Sequence, residues 1–147
     1  MNPTPIFVPH PEYPLAPGTT IRLSSRETGG EYCVCEMTTL PGDGVPLHVH
    51  DRDDEFYYVL EGTYEFTAGA KSFFAEPGSM VAIPRKVPHS FRNSGSAAAR
   101  AIMIFRPGGF DELLDELRQA AATGTVTASQ RQEVLAKWGI TFLDTEQ

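Results

Sequence analysis

GDGVPLHVHDRDDEFYYVLEG, residues 42–62, sets two histidines two positions apart and follows them with an acidic stretch and a glutamate. Side chains two apart on a strand point the same way, so His48 and His50 present two imidazoles side by side. Residues 51–54, Asp-Arg-Asp-Asp, are polar enough to turn the chain, and Glu55 opens the next apolar run. A strand–turn–strand of that length can bring Glu55 back toward the histidines. Two imidazoles and a carboxylate, with positions left open, suit a divalent transition metal such as iron. A third imidazole, His89, opens another strand after Ile83-Pro84-Arg85-Lys86-Val87-Pro88. The fourth, His10, lies in a proline-rich stretch and reads as solvated. A His-x-His pair is also found on ordinary strands, and Glu55 reads equally as a solvated edge charge. Taken alone, these residues put metal binding only modestly ahead of that plainer account.

Outward from this stretch, residues 20–106 read as short strands separated by turns. The expected strands are 31–40, 47–50, 55–60, 63–67, 72–75, 80–83, 89–93 and 99–105, with Gly, Pro, Asn and Asp clusters between them. Many short strands at this spacing predict an all-β sandwich or barrel. Tyr32-Cys33-Val34-Cys35 and Ala101-Ile102-Met103-Ile104-Phe105 are apolar on both faces, as strands covered on both sides are. Cys33 and Cys35 share one face of a strand, a strained arrangement for a mutual disulfide, and read as two small buried hydrophobes. After Pro107-Gly108-Gly109 the period changes. Phe110, Leu113, Leu114 and Leu117 recur at helical spacing, with Asp111 and Glu112 at the helix N-terminus. A second short helix is expected after Thr127 or Ser129, with Val134, Leu135 and Trp138 as its apolar face and Gly139 ending it. These helices read as a lid or buttress.

The chain has 147 residues, 41% hydrophobic and 21% charged, enough for one domain with a real core. Its formal net charge of −7 offers no basic patch for nucleic acid or an anionic membrane, so a small-molecule partner is expected. The prolines at 3, 5, 9, 11, 14 and 17 make residues 1–20 an extended arm, with neither a basic start nor a long apolar run. A cytoplasmic protein is the expectation.

Residues 42–62 match the first cupin motif, G(X)5HXH(X)3–4E(X)6G, at every defined position. Residues 78–93, GSMVAIPRKVPHSFRN, match the second, G(X)5PXG(X)2H(X)3N, at all but one. The sequence therefore resembles the cupin superfamily, and in particular its small, single-domain, quercetinase-like members, whose helical ending residues 107–110 also resemble. The resemblance implies an all-β double-stranded β-helix, a jelly-roll barrel, over residues 21–107. An arm of 1–20 would precede it, and a helical tail of 108–147 would pack on it. It implies His48, His50, Glu55 and His89 as ligands of one divalent transition metal (iron, manganese, nickel, cobalt or copper, or zinc), and a homodimer. The departure is Lys86, where the motif has glycine, which puts the local loop shape in question but removes no ligand.

Strand phase gives the surroundings. With Glu55 inward, Tyr57 and Val59 are inward too; with His89 inward, so is Phe91. On the strand at 99–105 either Ile102 and Ile104 or Met103 and Phe105 face the lumen. Tyr57, Val59, Phe91, Met103 and Phe105 form the expected substrate pocket, although Tyr57 and Phe91 fit a closed barrel equally well. Similarity to quercetinase-like cupins implies a dioxygenase acting on a small enolic or phenolic substrate, with Glu55 as ligand and base. A non-redox isomerase or cyclase, or a small-molecule binding protein without turnover, are the other readings.

Overall fold

A computed structural model describes residues 4–8, 14–16 and 18–143. Among them eleven strands form two antiparallel sheets, with two helices near the C-terminal end. The strands are β1 (Pro14–Ala16), β2 (Thr19–Leu23), β3 (Cys33–Thr39), β4 (Gly44–His50), β5 (Asp54–Glu61) and β6 (Tyr64–Ala68). They continue with β7 (Lys71–Ala75), β8 (Met80–Ile83), β9 (His89–Asn93), β10 (Ala99–Arg106) and, after α1 (Phe110–Ala122) and α2 (Ala128–Lys137), β11 (Ile140–Phe142). One sheet runs β1-β2-β3-β10-β5-β8 and the other β11-β4-β9-β6-β7. This is the expected all-β double-stranded β-helix with two short helices. Three short strands go beyond the expectation: β1, β2 and β11. Of the proline-rich arm, residues 14–16 pair with β2, whereas Pro3, Pro9, Pro11, Pro17 and His10 lie outside the described residues. No described helix is long and apolar enough to cross a membrane.

Alternation along each strand builds the core. On β10 the buried residues are Ala99, Ala101, Met103 and Phe105, which fixes the phase that sequence left open: Met103 and Phe105 face inward. They meet Cys33, Cys35 and Met37 of β3 and Tyr57 and Val59 of β5 in the inter-sheet layer. Both cysteines are free and fully buried, packed as small apolar side chains. Phe66, Phe91, Tyr57 and Tyr64 close one end with tilted and edge-to-face contacts 5.2–6.2 Å apart.

Two motif positions find structural reasons. Gly62 has φ +76°, and a Cβ there would lie 2.6 Å from that of Ala99, so a side chain is excluded twice over. Asn93 ends β9 fully buried. Its amide donates to the carbonyls of Thr39 (2.9 Å) and Ala97 (2.8 Å), and its Oδ1 accepts from Gly95 N–H (2.9 Å). One side chain thus fastens the loop between β9 and β10 to the end of β3. Replacing Asn93 with alanine removes the partner of the buried Thr39 carbonyl and of two part-buried loop groups, the Ala97 carbonyl and the Gly95 N–H. We expect a loss of about 2–3 kcal/mol in urea unfolding, with secondary structure retained.

Candidate metal centre

Cross-strand register assembles the site. In β4, His48 stands directly opposite His89, the first residue of β9, and His50 lies one pleat further along the same face. Glu55 comes from the other sheet, where it stands between Phe105 of β10 and Ile83 of β8. The four side chains converge between the sheets. Their candidate ligand atoms all lie within 4.8 Å of one another, and each residue is at most 4% exposed. Ligands about 2.0–2.2 Å from a single ion lie up to about 4.4 Å apart, so this cluster could hold a metal with little adjustment.

The far side of each imidazole is already engaged. His48 Nδ1 lies 2.7 Å from the carbonyl of Pro46, and His89 Nδ1 lies 3.0 Å from that of Val87. His50 Nδ1 lies 2.9 Å from a carboxylate oxygen of Asp53. Acceptors at these positions place a proton on each Nδ1 and turn Nε2 inward, as in metal-binding histidines. Nε2 of His50 then lies 2.6 Å from one oxygen of Glu55, and Nε2 of His89 lies 2.8 Å from the other. A carboxylate offers only lone pairs. Two such contacts therefore require positive charge, carried by protonated rings or by a cation among the four groups. The donor set fits a divalent transition metal.

The surroundings tune these groups. Burial and the neighbouring His89 push His48 down to about 4. Burial also opposes charge on His50, but hydrogen bonds with Asp53 and Glu55 outweigh it and push that ring up to about 9. Burial would raise Glu55, yet His50 and His89 hold it well below the usual carboxylate range. Tyr57, two residues along β5 on the same face, donates its hydroxyl to Glu55 Oε2 at 2.7 Å, and burial beside that carboxylate raises its pKa.

The 84–88 loop is tied to the strand that carries the histidines. Lys86 adopts φ +69°, the left-handed conformation that suits the glycine usual in the motif, and its N–H donates to the carbonyl of His50 at 2.7 Å. The loop shape is thus kept, at the cost of backbone strain. Arg85 fixes the other flank, donating from its backbone and guanidinium to Asp54 at 2.8–3.2 Å.

Beside the four residues lies a cavity of about 300 Å³. Its walls include Tyr57, Phe91, Met103 and Phe105 of the expected pocket residues. Val59 is not at this wall; it is fully buried in the core one pleat beyond Tyr57. Further walls come from the C-terminal segment: Phe110, Leu113, Leu114 and Leu117 of α1, Arg131 and Leu135 of α2, and Ile140 and Phe142 of β11. Sequence pattern marked the helices as a lid without assigning them to the pocket. It missed Phe142 altogether, since nothing local says that a three-residue strand will pair with β4 and stack its ring 5.3 Å from His48. Asp53 was legible in principle, three residues from His50 in an acidic turn.

The family model described as Cupin domain matches residues 35–105. Among characterised proteins, Quercetin 2,3-dioxygenase of Bacillus subtilis (strain 168) is 33% identical over 73 residues, covering 50% of this chain and 22% of that protein. Polyketide synthase CurC of Streptomyces cyaneus is 33% identical over 67 residues, covering 46% of this chain and 44% of that protein. The chain thus spans less than half the length of either relative. Among solved structures, a protein described as a predicted oxalate decarboxylase from Thermotoga maritima superimposes with a TM-score of 0.58 at 23% identity, covering 60% of this chain and 78% of that one. KdgF from Halomonas sp. gives 0.58 at 19%, covering 70% and 93%. These two likenesses concern the fold.

Two outcomes follow. Lys86→Gly relieves a left-handed residue, worth about 1–2 kcal/mol, against an unfolded-state entropy cost of about 0.4–1 kcal/mol. A small net gain in melting temperature is expected, with metal content unchanged. In protein stripped of metal, His50 binds its proton more tightly folded than unfolded. Its contribution is complete below about pH 6.5 and fades as pH rises toward 9. His48 resists protonation when folded, so stability also falls as pH drops from about 6.5 toward 4. Thermal unfolding of the chelator-treated protein should therefore peak near pH 6.5.

Proposed function

We propose that this protein, which carries a cupin domain over residues 35–105, is a metal-dependent dioxygenase acting on a small enolic or phenolic substrate. The observation that carries the proposal is the cluster of three imidazoles and one carboxylate opening onto an apolar, aromatic-walled cavity. Such a cavity suits a small planar molecule oriented by few polar groups. The similarity of this segment to the B. subtilis quercetin dioxygenase supports the choice of chemistry. A divalent transition metal held by His48, His50, Glu55 and His89 would supply Lewis acidity and redox reactivity.

The chain's own residues have definable parts in that chemistry. Glu55 lines the cavity together with His48 and His50, so one of its oxygens can take the proton from an incoming substrate hydroxyl. Tyr57, donating to Oε2, holds the carboxylate in place while the proton moves. Phe91, Met103, Phe105 and the leucines of α1 exclude water from the reacting centre, which strengthens every electrostatic interaction inside.

A second account, a non-redox isomerase or cyclase that polarises a carbonyl, draws support from the similarity to Polyketide synthase CurC. Metal analysis separates the two. Purified protein is expected to contain near-stoichiometric iron, manganese, nickel, cobalt or copper, lost in a His48→Ala, His50→Ala variant. It should then consume oxygen with quercetin or a related enolic phenol. Zinc, with turnover indifferent to oxygen removal, would favour the isomerase or cyclase. No metal after reconstitution with each ion would defeat the ligand assignment.

A further inference from the structure

The geometry points to Arg131 as a specificity residue that selects substrates bearing an anionic group, a carboxylate above all, on the side of the molecule away from the metal centre. This rests on the metal-dependent function proposed above and adds a substrate class to it. Apart from the metal-centre residues, the cavity walls are almost wholly apolar, and among the described residues Arg131 is the one cationic side chain in them. Its placement follows from helix geometry. Arg131 lies one turn before Leu135 on α2, on the same face, and Leu135 is buried against the same cavity.

The charge pattern of the lid singles Arg131 out. Arg118 of α1 is paired with Asp115 at 2.6 Å, and Lys137 of α2 with Glu116 at 3.0 Å. Glu116 is further engaged by the indole N–H of Trp138 at 2.8 Å. Among the described residues the Arg131 guanidinium has no hydrogen-bond or ion-pair partner, in a chain whose net charge is −7. Acids are plentiful, yet the lid leaves uncompensated the one cation that borders the cavity. Its planar donor fork matches a carboxylate. The metal centre and Arg131 give an otherwise mostly aromatic and aliphatic cavity two polar anchors. The complementary ligand is a planar molecule with an ionisable hydroxyl at one end and a carboxylate at the other.

Two probes that differ only in that anion test this: 3,4-dihydroxybenzoate and catechol. Each is titrated calorimetrically into cobalt-loaded protein of measured metal content, using the wild type, Arg131→Gln and Arg131→Lys. A charge-assisted hydrogen bond at a partly exposed site predicts a preference of roughly tenfold for the acid in the wild type. Arg131→Gln should abolish that preference and leave catechol affinity unchanged, and Arg131→Lys should keep part of it. Equal affinity for both probes in the wild type, or a preference surviving in Arg131→Gln, overturns the role of Arg131 while the metal-dependent function stands. If neither probe binds the metal-loaded wild type, the proposed function and the role of Arg131 are overturned together.

Discussion

Glu55 is a carboxylate with about 1% of its surface exposed, set between two sheets. Burying such a charge is costly unless it is paired and hydrogen-bonded. Both oxygens are engaged: one by His50 at 2.6 Å, the other by His89 at 2.8 Å and by the Tyr57 hydroxyl at 2.7 Å. Each partner is in turn held by its own strand or by a turn. Pairing of β4 with β9 sets His48 against His89, the acidic turn before β5 supplies Asp53 to His50, and the 84–88 loop ties back to the His50 carbonyl. The inner faces of two sheets are thereby committed to satisfying one buried charge. A positive ion among the four groups is the natural completion of that arrangement.

The C-terminal segment walls one side of the cavity beside this polar cluster. The Thr127 side chain and Gln130 form a reciprocal cap at the start of α2, and Leu113, Leu135 and Ile140 make a small second core beneath the helices. β11 then adds an edge strand to β4, and Asp51 N–H donates to the carbonyl of Gly139 at 2.8 Å. The lid is therefore hydrogen-bonded to the same strand–turn unit that carries His48 and His50. Sequence distance is large here, about ninety residues between His48 and Phe142, but the physical coupling is direct.

At its other end α1 is anchored by a buried polar network rather than by a side-chain cap. Asp111 accepts from the backbone N–H of Ser25 at 2.9 Å and from its hydroxyl, and Ser25 Oγ accepts from Gly109 N–H at 2.7 Å. An acidic residue in the first turn of a helix is favourable in any case. In this fold Asp111 also fixes the start of α1 to the chain following β2, and so sets the height of the lid over the cavity.

By itself the sequence determined the local geometry of the site. A strand's two-residue period put His48 and His50 on one face, and the same period carried Tyr57 along with Glu55. Turn residues between short apolar runs marked the strands, with 80–83 and 89–93 at their observed limits. The change to a helical period at Phe110 gave the tail. Tertiary structure decided what no local pattern encodes. The inward phase of β10 depended on which of its two apolar faces met the opposite sheet. Val59 fell behind Tyr57 into the core because the cavity ends one pleat short of it. Phe142 and Arg131 reached the cavity only because α1 and α2 fold back across its mouth. Periodicity is a property of neighbouring residues, so it is written in the chain. Enclosure of a cavity is a property of surfaces brought together from distant parts of the chain, and it exists only once they have packed.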